Sequence, residues 1–244
     1  MPVGRSLGGA QGCPPPLGGL SFCRNAHRAW KGLAFDSVDA VLVVPFGDPL
    51  SAVIQGSILE HMKVLDGISD GLATWLLAQP MFFVATAPLA GDGHVNLSPK
   101  GMDGTFAVLG PLQVGYLDYF GSGSETIAHL RENGRITVMF SAFEGPPNIV
   151  RLYGRGSFIR PGESEFDELR GRFSKDRTTG QRSIVLIDLD RVQESCGYSV
   201  PKMVLVEQRD ILDLHQEKKG PEAYIDWQQE NAVSIDGLPA LDGL

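Results

Sequence analysis

Runs of β-branched and aromatic residues recur along this chain, separated by turn residues and only short amphipathic stretches. Strand-like runs fall at Met81–Ala87, His94–Lys100, Thr105–Leu109, Gln113–Tyr119, Arg135–Phe140, Asn148–Arg160 and Ser183–Leu189. In the second run Val95 and Leu97 fall on one side and Asn96 and Ser98 on the other. Pro99 then ends regular pairing and leaves Lys100 at the strand's mouth. Gly91-Asp-Gly93 suits a hairpin between the first two runs, and Gly110-Pro111 separates the next two. Ser183–Leu189 is the most hydrophobic run and is expected at the centre of a sheet.

The predicted helices are short. Ser69 caps Asp70–Gln79, whose Leu72, Trp75, Leu76 and Gln79 share a face. Glu125–Glu132 follows a small-residue loop, Glu163–Phe173 turns Phe166 and Leu169 inward, and Ile211–Lys219 comes after the apolar run Met203–Val206. No regular strand–helix–strand alternation appears. Six or seven strands with short peripheral helices predict a mainly β protein, a closed or nearly closed antiparallel barrel.

Upstream the composition shifts. Residues 1–35 hold no acidic residue but carry Arg5, Arg24, Arg28 and Lys31 amid much Gly and Pro. Such a tract reads as an organelle transit peptide or a disordered tail, and Pro14-Pro-Pro16 interrupts any amphipathic helix. Residues 38–54 contain short apolar runs broken by Pro45 and Gly47-Asp-Pro49. The expected organisation is an N-terminal extension over 1–57 and one barrel domain over 58–244.

The net charge of −8 over 244 residues argues against a general nucleic-acid binder. Cys13, Cys23 and Cys196 lack metal-site spacing, so neither a metal centre nor a disulfide framework is expected, and Cys196 is expected as a small buried residue. No apolar run reaches the ~18–20 residues that span a bilayer, so no membrane association is expected. A cytoplasmic location follows, or an organelle if residues 1–35 are a transit peptide.

Two glycine patterns carry little chemistry. Gly154-Arg-Gly156 lacks the third glycine of a dinucleotide fingerprint and lies inside a strand, where it reads as a bulge. Gly121-Ser-Gly-Ser124 lacks the Gly-Lys-Ser/Thr ending of a triphosphate loop. It does precede a helix: Ser122 and Glu125 have capping-box spacing, and Ser124 and Thr126 set hydroxyls in the first turn. An ordinary cap and a phosphate site share that signature, and the Glu125 charge competes for the helix pole. Lys100, beside Ser98 and Asn96, is either a solvated cation or an anion contact. Arg151 alternates with Val150 and Leu152 and so points away from their apolar face. His94 and His129 lack the spacing of metal ligands, His215 reads as solvated, and Asp92, Asp103 and Asp118 form no acid/base pair.

Taken in order, Phe83–Leu89, Gly91–Gly101, Gly121–Thr126, Phe143–Pro147, Ile149–Gly154, Ser195–Pro201 and Ser234–Pro239 resemble the pyridoxamine 5′-phosphate oxidase-like family, from about Ser69 to Leu241. They look most like its branch ending in Ser-Ile-Asp-Gly-Leu-Pro. The resemblance implies a six-stranded antiparallel split β-barrel, a homodimer, and flavin mononucleotide (FMN) at the subunit interface. It implies that Lys100 contacts the flavin phosphate region and that Ser122, Ser124 and Thr126 add phosphate contacts. Asn96, Ser98 and Arg151 complete the candidate cofactor set. The implied activity is flavin-dependent oxidoreduction of an unidentified small molecule; the alternative is a non-catalytic split barrel holding flavin, deazaflavin or haem.

Three features depart from pyridoxamine phosphate oxidases. Glu125-Thr126 stands where they carry Arg-Lys, Val95 lies roughly where they have an arginine, and Gly237-Leu-Pro-Ala replaces their Arg-Leu-x-Pro ending. These changes argue against vitamin B6 oxidation and for a differently clamped flavin.

Overall fold

The computed structural model describes residues 62–220 and 222–241. The basic N-terminal tract, the 38–54 runs and the extension over 1–57 lie outside these residues. Eight strands form one antiparallel sheet: β1 (Met62–Leu65), β2 (Phe82–Thr86), β3 (Asn96–Lys100), β4 (Phe106–Gly110), β5 (Gln113–Tyr119), β6 (Arg135–Ser141), β7 (Ile149–Ile159) and β8 (Gln181–Ser195). Five helices accompany them: α1 (Asp70–Leu77), α2 (Glu125–Glu132), α3 (Phe166–Arg170), α4 (Ile211–Lys219) and α5 (Glu222–Glu230).

Strand order runs β3-β2-β6-β7-β8-β5-β4, with β1 also paired to β8. The expected split-barrel architecture is present, but with eight strands rather than six and with β3 and β4 left as unpaired ends. The short β1 escaped the periodicity reading because it is four residues, mostly exposed. The central strand is β8, as its hydrophobicity predicts. Its fifteen residues pair with β7 along one edge and with β5 and then β1 along the other.

Side chains, rather than backbone hydrogen bonds, span the split. Phe82 of β2 meets Phe106 of β4 at a ring separation of 5.2 Å, and Phe140 of β6 packs on both, at 5.3 and 4.9 Å. These rings sit among Val84, Val114, Val138, Val150, Leu152, Val185 and Ile187, all fully buried. A second apolar cluster covers the opposite face of β5 and β8, where Phe166, Phe173 and Leu212 pack on Leu117, Tyr119 and Ile184. A third joins Ile127 and Ala128 of α2 to Ala240 and Leu241.

Local readings mostly hold. Ser69 caps α1 by accepting from the Leu72 N–H at 3.3 Å, and Leu72 and Leu76 are buried. The register shifts between Tyr153 and Gly154, the bulge the glycines predicted; a Cβ at Gly154 would collide with the Asp188 carbonyl oxygen. Other readings need correction. The helix expected over 163–173 is only α3, since Gly171 closes it. Met203–Val206 is exposed and unpaired in any ladder. Cys196 is exposed rather than buried, because β8 ends one residue before it.

Candidate functional site

The second hairpin strand supplies the first wall of the site. β3 pairs with β2 in the register Phe82↔Lys100, Val84↔Ser98 and Thr86↔Asn96. Directly opposed residues share a face, so Asn96, Ser98 and Lys100 lie on the same side as the core residues Phe82 and Val84. Val95 and Leu97 point outward and are 72% and 65% exposed. The predicted alternation is correct, with the polar residues turned towards the split and the apolar ones towards solvent.

These inward residues meet a polar network. Asn96 Nδ2 donates to Thr86 Oγ1 at 3.1 Å and to Thr126 Oγ1 at 3.0 Å, and the Ser98 hydroxyl donates to Asn96 Oδ1 at 2.9 Å. Thr86 Oγ1 is also bonded to His129 Nδ1 at 2.9 Å. His129 is fully buried and its Nε2 has no partner; burial holds its pKa below the ordinary value, so the ring is neutral at physiological pH.

Lys100 crosses the split to β5. Its Nζ lies 3.5 Å from Asp118 Oδ1 and 5.7 Å from the centre of the Tyr116 ring. Asp118 takes a much shorter bond from Arg182 Nε, 2.6 Å to Oδ2, while Arg182 NH1 donates to the Gly123 carbonyl at 3.0 Å. Burial works against an ionised Asp118. Arg182 and then Lys100 overcome that opposition and hold its carboxyl below the usual carboxylate range. The Tyr116 hydroxyl is buried next to Thr126, and burial pushes it well above the usual phenol value, keeping it a neutral O–H group.

The loop before α2 is arranged differently from its expected capping box. Ser124, not Ser122, is the N-cap, and no side chain caps the first turn. The Ser124 hydroxyl instead donates to the Asn231 carbonyl at 2.9 Å, and Glu125 Oε1 accepts from the Ile235 N–H at 3.2 Å. Arg131 NH1 donates to the Ala240 carbonyl at 2.6 Å. The segment 231–241 therefore straps the loop and α2, and Glu125 is turned to that strap. Ser122 is exposed.

A clasp at the far end holds the strap. His94 donates its backbone N–H to Asp236 Oδ2 at 2.8 Å, and its ring Nδ1 meets Oδ1 at 2.7 Å. This engagement explains why β3 begins at Asn96 rather than at His94. Bonding to Asp236 raises the His94 pKa, and the same bond lowers that of Asp236. The pair is therefore at full strength above about 3.9 and below about 6.5, and is lost as pH rises through the raised histidine value. Limited proteolysis should find the wild-type strap more resistant than in His94→Ala at about pH 5.5, with the two converging near pH 9. Equal resistance at both pH values would show that the clasp does not hold the strap.

Of the seven candidate residues, Asn96, Ser98, Lys100 and Thr126 come together at the split. Ser124 sits beside them with its hydroxyl committed to the strap, and Ser122 lies on the loop's outside. Arg151 stands on the other side of the sheet, paired with Met139 and Gln193 and donating to Ser195 Oγ at 2.9 Å. Sequence reasoning missed Tyr116, Asp118, His129 and Arg182. One signal was available: Val114, Tyr116 and Asp118 share a strand face, and a carboxylate on a core face requires a buried cation.

The family description "Pyridoxamine 5′-phosphate oxidase" matches residues 68–196, just over half of the chain, covering β2 to β8 and every residue of the network above. The chain belongs to this family. A pyridoxamine 5′-phosphate oxidase family protein of Aspergillus flavus is 39% identical over 194 residues, spanning 72% of this chain and 76% of that relative. Solved structures are more distant. HupZ of Group A Streptococcus superposes with a TM-score of 0.42 at 18% identity, over 51% of this chain and 91% of its own. The FAD binding protein from Mycobacterium smegmatis gives 0.37 at 13% identity, over 54% and 95%. The strap and α4 lie beyond the matched segment. No helix among the described residues is long and apolar enough to cross a membrane.

Proposed function

We propose that this chain binds a flavin, as FMN, at the split of its barrel and uses it to oxidise or reduce a small molecule. The observation that carries the reading is the inward row Asn96-Ser98-Lys100 in a member of this family. Arg182 satisfies Asp118 at 2.6 Å, whereas Lys100 stands 3.5 Å away and is 26% exposed. Its ammonium therefore retains donors for a second anion, and the Ser98 and Thr126 hydroxyls lie in the same network. That donor set fits the phosphate end of FMN, with Lys100 as the charge that Glu125-Thr126 no longer supplies.

Bound flavin supplies the two-electron redox chemistry. The protein's part is to hold, orient and shield it, which needs no nucleophile. The outward Val95 and Leu97 offer an exposed apolar surface that supports a homodimer. The purified protein should be yellow, or become so with added FMN, and should scatter light as a dimer. Lys100→Ala should weaken FMN binding roughly tenfold or more, on the order of 1.5–3 kcal/mol for a charge-assisted bond. A colourless protein that takes up no flavin, or a Lys100→Ala variant with undiminished affinity, would count against this reading.

A further inference from the structure

Beside the inward row lies a cleft of about 540 Å³, with the end of β3 as one wall, the outer face of β5 as another and α4 as a third. Lys100 is common to the row and the cleft. Arg209 and His215 also line it, the Thr105 and Tyr119 hydroxyls there donate to backbone carbonyls, and no carboxylate lines the cleft. Leu117, Ile211 and Met102 supply apolar walls.

α4 is held in place unusually. Its buried residues are polar, Asp213 and Gln216, while Ile211 and Leu214 are more than half exposed. Asp213 takes Lys175 at 2.8 Å and Arg177 at 3.1 Å, and Gln216 donates to the Phe120 carbonyl at 2.6 Å. Directional bonds of this kind set a helix in one position more strictly than an apolar stripe does. Ile211 and His215 are left facing the cleft. On the opposite wall Met102 has φ +69°, the one non-glycine residue in the left-handed region among those described, and Thr105 holds it by donating to its carbonyl at 2.8 Å. Such backbone strain tends to concentrate at ligand-contacting positions.

We infer that this cleft binds a small, partly apolar anion such as a carboxylate beside the flavin site, recognised by Arg209 and His215. The inference rests on the flavin reading above. A guanidinium pairs with a carboxylate through two parallel bonds, and no side-chain carboxylate in the cleft opposes it. Arg209 and His215 are specificity residues here, and Lys100 marks the boundary with the cofactor.

The test uses benzoate as probe and benzamide as its neutral isostere, titrated calorimetrically into full-length protein supplied with FMN, with flavin content read from the visible spectrum. Benzoate should bind about tenfold or more tightly than benzamide. Arg209→Gln and His215→Gln should each erase much of that preference, Arg209→Lys should keep part of it, and flavin content should stay unchanged. Benzoate that does not bind, or that binds no better than benzamide, overturns the proposal. Flavin loss in Arg209→Gln also overturns it, by assigning the cleft to the cofactor. A protein that takes up no flavin yet prefers benzoate would sink the flavin reading while upholding an anion-selective cleft.

Discussion

Replacing Asp118 by Ala is expected to destabilise the fold by about 3–5 kcal/mol, the usual cost of removing one partner of a buried ion pair. Asp118 is 1% exposed and Arg182 7% exposed at the side chain, so water does not repay the desolvation of the guanidinium once the carboxylate is gone. Lys100 and Arg182 would then face each other's charge across the split. Urea denaturation monitored by circular dichroism measures the loss, and a change below about 1 kcal/mol would mean that water or another anion replaces the carboxylate. Substituting both partners together, Asp118→Leu with Arg182→Met, should recover much of the loss, since the penalty lies in the unpaired charge.

The same carboxylate sets an acid limb. Its folded pKa lies below the unfolded value, so its contribution is complete above about 3.9 and disappears as pH falls through the folded value. Asp118→Asn should flatten that part of the stability profile and leave the neutral region parallel to wild type.

Phe140→Ala should cost a similar amount, about 3–5 kcal/mol, through cavity formation. The ring is 1% exposed and touches both Phe82 and Phe106. Its position makes the effect more than local. β4 pairs only with β5, and its link to β2 is the ring contact of Phe106. Hydrogen exchange should therefore rise in β4 more than in β7 or β8, whose ladders lie on both sides of them. Uniform loss of protection would show that the split is held by something other than these rings.

Both substitutions probe the same property of the molecule, a barrel whose seam is closed by side chains. That property also makes the candidate site available, because a backbone-bonded seam would leave no room for Lys100 to reach from β3 towards β5. The cost of the open seam is carried by the aromatic triad and, next to it, by the Lys100–Asp118–Arg182 group, since Phe82 is paired with Lys100 and packs on Tyr116.

The strands were legible in the sequence because their signals are local. β-branched runs, Gly91–Gly93, the Gly154 bulge and the Ser69 cap each express a preference within a few residues. The alternation of Asn96, Ser98 and Lys100 against Val95 and Leu97 belongs to this class, as does the apolar character that makes β8 central. Which side of β3 faces inward was not legible: period-2 alternation fixes two faces, and only the pairing with β2 decides which one meets the core.

The capping of α2 was misread for a related reason. Ser122 and Glu125 have the right spacing, but Asn231 and Ile235, more than a hundred residues away, compete for Ser124 and Glu125 and win. Asp118 and Arg182 are sixty-four positions apart and carry no shared motif. The sequence by itself determined β2 to β8, α1 to α4 and the row that ends in Lys100, since those follow from local backbone preference and side-chain period. Tertiary structure alone decided that this row faces a split, that a carboxylate and a second cation meet it there, and that the strap turns Glu125 aside. Contacts of that range depend on how distant segments close on one another, which no local pattern encodes.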